Sequence, residues 1–559
     1  MVAALTGTVC ARSPRYKGRV TIDGLNVAAA FDALASADGG RPCLVFRDES
    51  FTRAQVHARA ARFAGLLIDA ELGCRAERDA LRGWECGQST VALMLYNGNE
   101  YLEAMLGAYA ARCAPFNVNW RSTPVELAYV LTDAGADVLV YHRSLASVVA
   151  VALGDMRVRP GLLLEVDDEA NDVAPAVPGA LTYEHALVAA TPRWLDGSPD
   201  DLYVLYTGGT TGRPKGTLWR QRDFVAGALG IRHRSVDEVL AAAQRGGGRL
   251  RALPAPPLIH GAAQWNSWSA WLGGGTLVIQ SVVHRFDAHD VLSTAAQHRV
   301  TSLQIVGDAF GRPLLDALAR ERYDLSALRF VTSGGTALSA EVRDGLRAAL
   351  PGVTILDIMG SSESGRLAVA THGPERSGGF EPSGGAVVVD EDRRALVAPT
   401  DDHVGWLATT GPIPLGYLGD EAKTVATFPT IDGVRYTVPG DRARWRPDGT
   451  IEVLGRDASV INTGGEKVFA EEVEEALTTH PAVIDALVVG RPHPVLGNEV
   501  CAVVAVRAGA SVTVDELRAH AGSLLARYKL PRHVVVCDAV QRSPAGKPDY
   551  AWARAAVTA

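Results

Sequence analysis

The 559-residue chain has no apolar run approaching the roughly 18 residues that a membrane span requires. Its opening, MVAALTGTVCARSPRYKGR, lacks a positive n-region ahead of an apolar core. A cytoplasmic protein without a transmembrane segment is expected. Cysteine is sparse: Cys10, Cys43, Cys74, Cys86, Cys113, Cys501 and Cys537 are odd in number, scattered and without metal-ligand spacing. That excludes a disulfide framework or a zinc site as the organising feature and predicts reduced thiols. Positive charge is not in excess either, and a net charge of -8 argues against nucleic acid as the main partner. No repeat at solenoid spacing is present. What remains is ordinary globular composition, 47% hydrophobic and 21% charged, at a length that holds two or more domains and a large core.

Short apolar runs alternate with Ala-rich helical patterns: helix 26–35, strand 43–46, helix 53–70, strand 91–96, helix 100–113, helix 125–134 and strand 137–141. This spacing predicts parallel βαβ units, continuing through 277–280, 290–298, 302–306, 313–320 and 329–332. Residues 1–25 read as an arm and 71–89 as a loop. After about Glu363 the chain becomes richer in Gly, Pro and short strands, at 387–389, 406–409, 435–438 and 451–454. Beyond Arg456 come a hairpin around Thr463-Gly464-Gly465-Glu466 and a helix with Phe469, Val473, Ala476 and Leu477 on one face. Strands 484–489 and 500–506, a helix 514–528 and a strand 534–537 follow. The expected class is α/β. Residues 1–456 form a large N-terminal domain of stacked αβ subdomains plus a β-rich subdomain, and 457–559 a small mobile C-terminal α+β domain.

Five separated stretches can carry chemistry. The strand 202–206 ends in Thr207-Gly208-Gly209-Thr210-Thr211-Gly212, followed by Arg213-Pro214-Lys215-Gly216. Glycines free backbone N–H groups to face a ligand, and the hydroxyls and Lys215 add donors and charge, so the loop suits polyphosphate or is a surface turn. It is not a Walker loop, because Lys215 follows Arg213-Pro214 and precedes Gly216. Ser333-Gly334-Gly335-Thr336-Ala337-Leu338-Ser339 is a strand-to-helix turn open to a flat ligand or merely a capped turn. Asp357-Ile358-Met359-Gly360-Ser361-Ser362-Glu363 joins a hydroxyl to a carboxylate, for phosphate and Mg²⁺ or for helix capping. Asp441, after the strand 435–438, suits ribose hydroxyls or a solvated turn. Lys547, in Ser543-Pro544-Ala545-Gly546-Lys547-Pro548, is a lysine on a Gly/Pro loop, a surface position by default.

In their order and spacing, these stretches resemble the adenylate-forming superfamily of acyl-CoA synthetases, luciferases and peptide-synthetase adenylation domains, from about Asn26 to Ala555. The resemblance implies that Thr207, Gly208, Gly209, Thr210, Thr211, Gly212 and Lys215 form a flexible phosphate loop. It implies that Gly334, Gly335, Thr336 and Asp357 bound the adenine and that Met359, Gly360 and Ser361 also belong to the cofactor site. Ser362 would meet the α-phosphate, Glu363 the Mg²⁺, and Asp441 and Arg456 the ribose. Lys547 would be the adenylation lysine and Asp457 the hinge, while Gly464-Gly465-Glu466-Lys467 would line the thiol tunnel. The implied cosubstrates are ATP and coenzyme A. In the implied chemistry a carboxylate attacks the α-phosphorus, a thiol then attacks the acyl-adenylate, and the small domain rotates between the steps.

Pro256-Pro257-Leu258-Ile259-His260-Gly261-Ala262-Ala263-Gln264-Trp265 matches the region where such enzymes begin the acyl pocket. There His260, Gln264 and Trp265 are the expected substrate contacts, with Trp268 and Trp271 as further lining or as a core stripe. No acidic residue is placed to hold an α-amino group, so a hydrophobic acid is expected rather than an amino acid. Asn99-Glu100-Tyr101-Leu102-Glu103-Ala104-Met105-Leu106-Gly107, Pro115-Phe116-Asn117-Val118-Asn119, Ile305-Val306-Gly307-Asp308-Ala309-Phe310 and Tyr528-Lys529-Leu530-Pro531-Arg532 look like actinobacterial fatty-acyl and steroid-side-chain CoA ligases. The expected function is an ATP-dependent acyl-CoA ligase for a medium- or long-chain acid or a steroid side-chain acid. The competing readings are an acyl-AMP ligase that loads a carrier protein and a catalytically silent nucleotide-binding regulator. A homodimer stays open.

Overall fold

The computed structural model describes residues 25–558 except Asp48, 169–175, 209–212, Arg234, 336–337, Ser339, 374–380, 383–384, Thr400, Asp402, 457–459, Ala508 and 542–548. Two parallel sheets form the body. In the nine-stranded sheet the interior order is Thr354–Ser361, Phe330–Gly334, Ser302–Ile305, Arg251–Pro254, Thr276–Ile279 and Pro42–Phe46, all parallel neighbours. Antiparallel strands close both edges. The second sheet orders Ala114–Asn117, Thr90–Met94, Val138–His142, Leu162–Val166 and Leu181–Thr182, again in parallel. Such strands are covered on both faces, so Thr90–Met94 and Val138–His142 are buried at every position.

The helices between these strands start where the sequence offers caps. Asn26, Thr52 and Thr123 accept from the third residue onward, and the latter two close reciprocal capping boxes with Gln55 and Glu126. Two expected helices have other limits. The one expected at 313–320 runs Gly307–Arg320 with Pro313 inside. Its earlier turns are held by burial of Phe310 and by Gly311, where a Cβ would come within 2.4 Å of Val342 on the neighbouring helix. The one expected at 514–528 stops at Gly522, and Arg527–Lys529 forms a separate 3-10 turn that faces the large domain.

The expected β-rich part is a six-stranded antiparallel sheet containing Ala386–Val389, Gly405–Thr410, Val434–Thr437, Asp441–Trp445 and Ile451–Arg456. The last part has its own five-stranded sheet, in which Val483–His493, Gly497–Val506 and His533–Cys537 pack over helices Ala470–Thr478, Val514–Gly522 and Tyr550–Thr558. Residues 71–89 are tied down: the Gln88 amide donates to the Arg112 carbonyl and accepts from the Leu202 N–H. Among the described residues no helix is long and apolar enough to cross a membrane.

Candidate active site

The strands Leu202–Gly208 and Pro214–Arg220 pair Thr207 with Lys215, and Thr207 meets the turn after Thr354–Ser361. Gly209, Thr210, Thr211 and Gly212 lie outside the described residues. At the hairpin's end Thr207 Oγ1 is 2.8 Å from Ser362 Oγ, and the Ser362 hydroxyl donates to Glu363 Oε2 at 2.9 Å. With its one proton so committed, Ser362 accepts from Thr207. The Tyr417 hydroxyl donates to Glu363 Oε1 at 2.9 Å, and Trp219 Nε1 fixes the Ser362 carbonyl at 2.9 Å. Ser362 and Glu363 are thus buried in a preset network, which is costly to leave incomplete and rigid once satisfied.

This network borders a cavity of about 320 Å³. Ser333, Gly334 and Gly335 line it, and Gly335 has φ +90°, a conformation glycine takes without steric cost. Gly360, Ser361 and Ser362 line it from the next strand. Thr336 lies outside the described residues. Met359 packs with the Leu367 cluster instead. Asp357 pairs in register with Ser333 but does not line the cavity, and burial pushes its carboxyl up to about 6 against the opposing effect of Arg343. Lys215 is ion-paired to Asp420 rather than open to the cavity. Asp441 starts the strand Asp441–Trp445 opposite Arg456 and does not line the cavity. Asp457 and Lys547 lie outside the described residues. The base of the Lys547 loop is closed by the Asp549 N–H donating to the Gln541 carbonyl at 3.1 Å.

The helix Gly261–Leu272 supplies another wall. Ala262, Trp265, Asn266 and Ser269 face the cavity, a spacing of three and four residues that is one side of a helix. Gln264, Trp268 and Trp271 fall on the opposite side, which corrects the expected lining. Gln264 is only 1% exposed; it accepts from Tyr203 and donates to Tyr101 and the Leu258 carbonyl. Trp268 and Trp271 stack edge-on in the core. His260, just before the helix, lines the cavity and lies 3.7 Å from Glu466 Oε2.

Glu466 belongs to the last domain. Its loop turns through Gly464 and Gly465 at φ +58° and +88°, so that Gly465, Glu466 and Lys467 line the cavity, whereas Gly464 does not. Burial opposes the Glu466 charge, but His260, Arg121 and Lys529 outweigh it and hold the carboxyl below its ordinary value. Arg121 also pairs directly with Glu466. A deeper contact lies behind this loop: the buried Lys529 Nζ donates to Glu126 Oε1 at 2.6 Å and to Glu472 Oε1 at 2.8 Å. Tyr417, Asp420, Glu126 and Glu472 escaped the sequence reading because each acts on a partner distant in the chain. The Tyr528-Lys529-Leu530-Pro531 string was the one available signal for Lys529.

A hydroxyl–carboxylate network beside glycine-lined strand ends, with a loop of a second domain entering the same cavity, defines an enzyme of the adenylate-forming class. The comparisons agree: residues 31–418 match the AMP-binding enzyme family and 472–547 the AMP-binding enzyme C-terminal domain. The chain belongs to the AMP-binding enzymes. It is 46% identical to the medium-chain acyl-CoA ligase Mig of Mycobacterium avium, over 96% of this chain and 98% of that one. It is 39% identical to a 3-oxocholest-4-en-26-oate–CoA ligase of Rhodococcus rhodochrous, over 95% of each. The amide bond synthetase McbA of Marinactinospora thermotolerans shares its fold, with a TM-score of 0.75 at 24% identity over 95% of this chain and 99% of that one. The chain is an AMP-forming acid–thiol ligase that carries out ATP-dependent acyl-CoA ligation.

Proposed function

We propose that the acid is hydrophobic, a medium- or long-chain fatty acid or a steroid side-chain acid, and that the acceptor is free coenzyme A. The observation that carries this is the continuity of the cavity. The nucleotide-side residues Gly334, Gly335 and Ser362, the apolar wall of Leu205, Leu229, Ile259 and Trp265, and the thiol-side loop at Gly465 share one space. Acid-dependent exchange of pyrophosphate into ATP, then AMP release and thioester formation with free CoA, tests it. No exchange across linear and steroid acids would sink the proposal, and thioester formation only on a holo-carrier would overturn the acceptor.

Glu363 fits Mg²⁺. Its two oxygens accept from the neutral Ser362 and Tyr417 hydroxyls, which orient the carboxylate without cancelling its charge. A single carboxylate completed by phosphate oxygens and water is a common Mg²⁺ arrangement, and the ion would neutralise charge on the phosphates. The chain's own part is positional. Thr207 and Ser362 hold hydroxyls at the α-phosphate while the substrate carboxylate forms its O–P bond and pyrophosphate leaves. In the second step the thiol adds to the acyl carbonyl and AMP departs. We further place the domain boundary at Arg456/Asp457, with Asp457 as the hinge of rotation between steps and Asp441 and Arg456 at the ribose.

The Asp357 carboxyl gives a pH prediction. Asp357 stands behind the cavity wall but in register with Ser333, which lines it, and we propose that it accepts from the adenine amino group at that edge; its ionised form then binds ATP better, and that form is lost as pH falls through about 6. The KM for ATP is expected to rise several-fold between about pH 7 and pH 5, and Asp357→Asn to flatten that rise. Burial raises this carboxyl above its ordinary value in the folded state, so its contribution to stability is fully present below the ordinary carboxylate range and is lost as pH rises through about 6. An unchanged ATP profile in the variant would refute the contact.

A further inference from the structure

Most cations around the cavity are neutralised. Lys215 pairs with Asp420, Arg121 with Glu466, and Lys529 with Glu126 and Glu472. Arg366 is different. It lines the cavity, is exposed, and has no hydrogen-bond or carboxylate partner among the described residues. It stands opposite Gly360 across the antiparallel ladder, on the strand Gly365–His372. Its guanidinium reaches the segment after the π-helical turn Phe224–Ala228: a Cβ built on Gly230 would lie 2.5 Å from Arg366 Nη2 and 3.0 Å from Cζ. Gly230 has φ +68°, so the position is closed to most side chains on two counts.

The neighbours of this guanidinium are those of the acyl wall. Ala228 and Leu229 line the cavity beside it, and Gly365 packs on Gly227 and Ala228. The same cavity is lined by Ser269, whose hydroxyl can donate to an acceptor. Covering an unpaired guanidinium with an alkyl chain strips its water and returns nothing, whereas a carboxylate or carbonyl oxygen at the end of the chain restores charge-assisted hydrogen bonds.

Resting on the acid-ligase reading above, we propose that Arg366 is a specificity residue that selects acids carrying a second acceptor group remote from the reacting carboxylate. The favoured acceptor is an anionic oxygen, because the guanidinium presents a full charge in a planar fork that a carboxylate matches at two points. Among the medium- and long-chain acids of the proposed function, one with a bare methyl end is the poorer substrate.

The test compares kcat/KM for decanoate, 9-oxodecanoate and decanedioate in the natural enzyme, Arg366→Leu, Arg366→Gln and Arg366→Lys. The ratio of decanedioate to decanoate is expected to fall about tenfold or more in the Leu and Gln variants and to be partly kept by Lys. A ratio that favours 9-oxodecanoate over decanedioate, and is lost in the same variants, would assign Arg366 to a neutral carbonyl and overturn the anionic choice. An equal fall for all three acids would move Arg366 to the reacting centre and overturn the proposal, as would unchanged ratios. If Leu fails to fold, the Gln and Lys comparison decides alone. Failure of every acid in the natural enzyme would instead strike the acid-ligase reading itself, so the two failures are separable.

Discussion

Lys547→Ala is expected to reduce acid-dependent pyrophosphate exchange by about 100-fold or more, and to change thioester formation from supplied acyl-AMP by less than about threefold. The reason lies in how charge is spent around the cavity. Negative charge grows on the α-phosphate oxygens and the departing pyrophosphate as the carboxylate attacks, and a cation already held by a carboxylate offers little to it. Lys215 is held by Asp420, Arg121 by Glu466, and Lys529 by two glutamates, while the unpaired Arg366 sets its guanidinium against Gly230 on the acyl side. We therefore expect the stabilisation of adenylation to come from the metal at Glu363 and from Lys547, carried by the loop closed between Gln541 and Asp549. In the acyl-transfer step the acyl C–O bond breaks and its electron pair leaves on the AMP phosphate, but no pyrophosphate departs, which is the charge assigned to Lys547. Measuring both half-reactions separately checks it, and equal loss in the two would contradict the assigned role.

The parts of the site that could be read in the sequence are those whose chemistry is local. Thr207, Gly335, Ser362 and Glu363 each sit where a strand ends and a glycine frees the backbone, so residue type and neighbours carry the signal together. The βαβ alternation was legible for the same reason: strands such as Thr90–Met94 are apolar throughout because both faces are covered. The tryptophans show where local reading stops. Trp265, Trp268 and Trp271 look equivalent as text, yet at helical spacing only Trp265 reaches the cavity. Asp420, Tyr417 and Arg366 were illegible because their meaning is a partner, or the want of one, fixed only by the tertiary fold. The helix expected at 514–528 ends at Gly522 for a related reason. Continuing it would compete with the turn that brings Tyr528 and Lys529 against the large domain, a tertiary gain that outweighs good helical propensity.

That turn carries the other large effect. Lys529 links Glu472 of the small domain to Glu126 of the large one, and the ammonium, though burial opposes its charge, is held above its ordinary value by the two carboxylates. Glu126 also caps its own helix, accepting from the Thr123 N–H at 2.8 Å, so its position does not depend on the lysine. The contact is widened by Asn119 donating to the Tyr528 hydroxyl at 3.1 Å and Thr123 donating to the Leu524 carbonyl at 3.2 Å. This arrangement places Gly465 and Glu466 in the cavity, the side implied for the thiol step. Removing the lysine leaves two carboxylates facing each other in a dry interface, a loss of about 3–5 kcal/mol that the protein can relieve only by undocking the domain. Lys529→Met is therefore expected to lower thioester formation from supplied acyl-AMP by about 100-fold while pyrophosphate exchange is largely kept. This is the mirror image of the Lys547 variant. Neutralising the glutamates as well, in a Glu126→Gln, Lys529→Met, Glu472→Gln triple variant, should restore most of the loss, since the cost lies in stranded charge more than in the missing pair. If the single variant loses both half-reactions together, or the triple variant fares no better than the single one, the contact is not what holds the domain in this orientation.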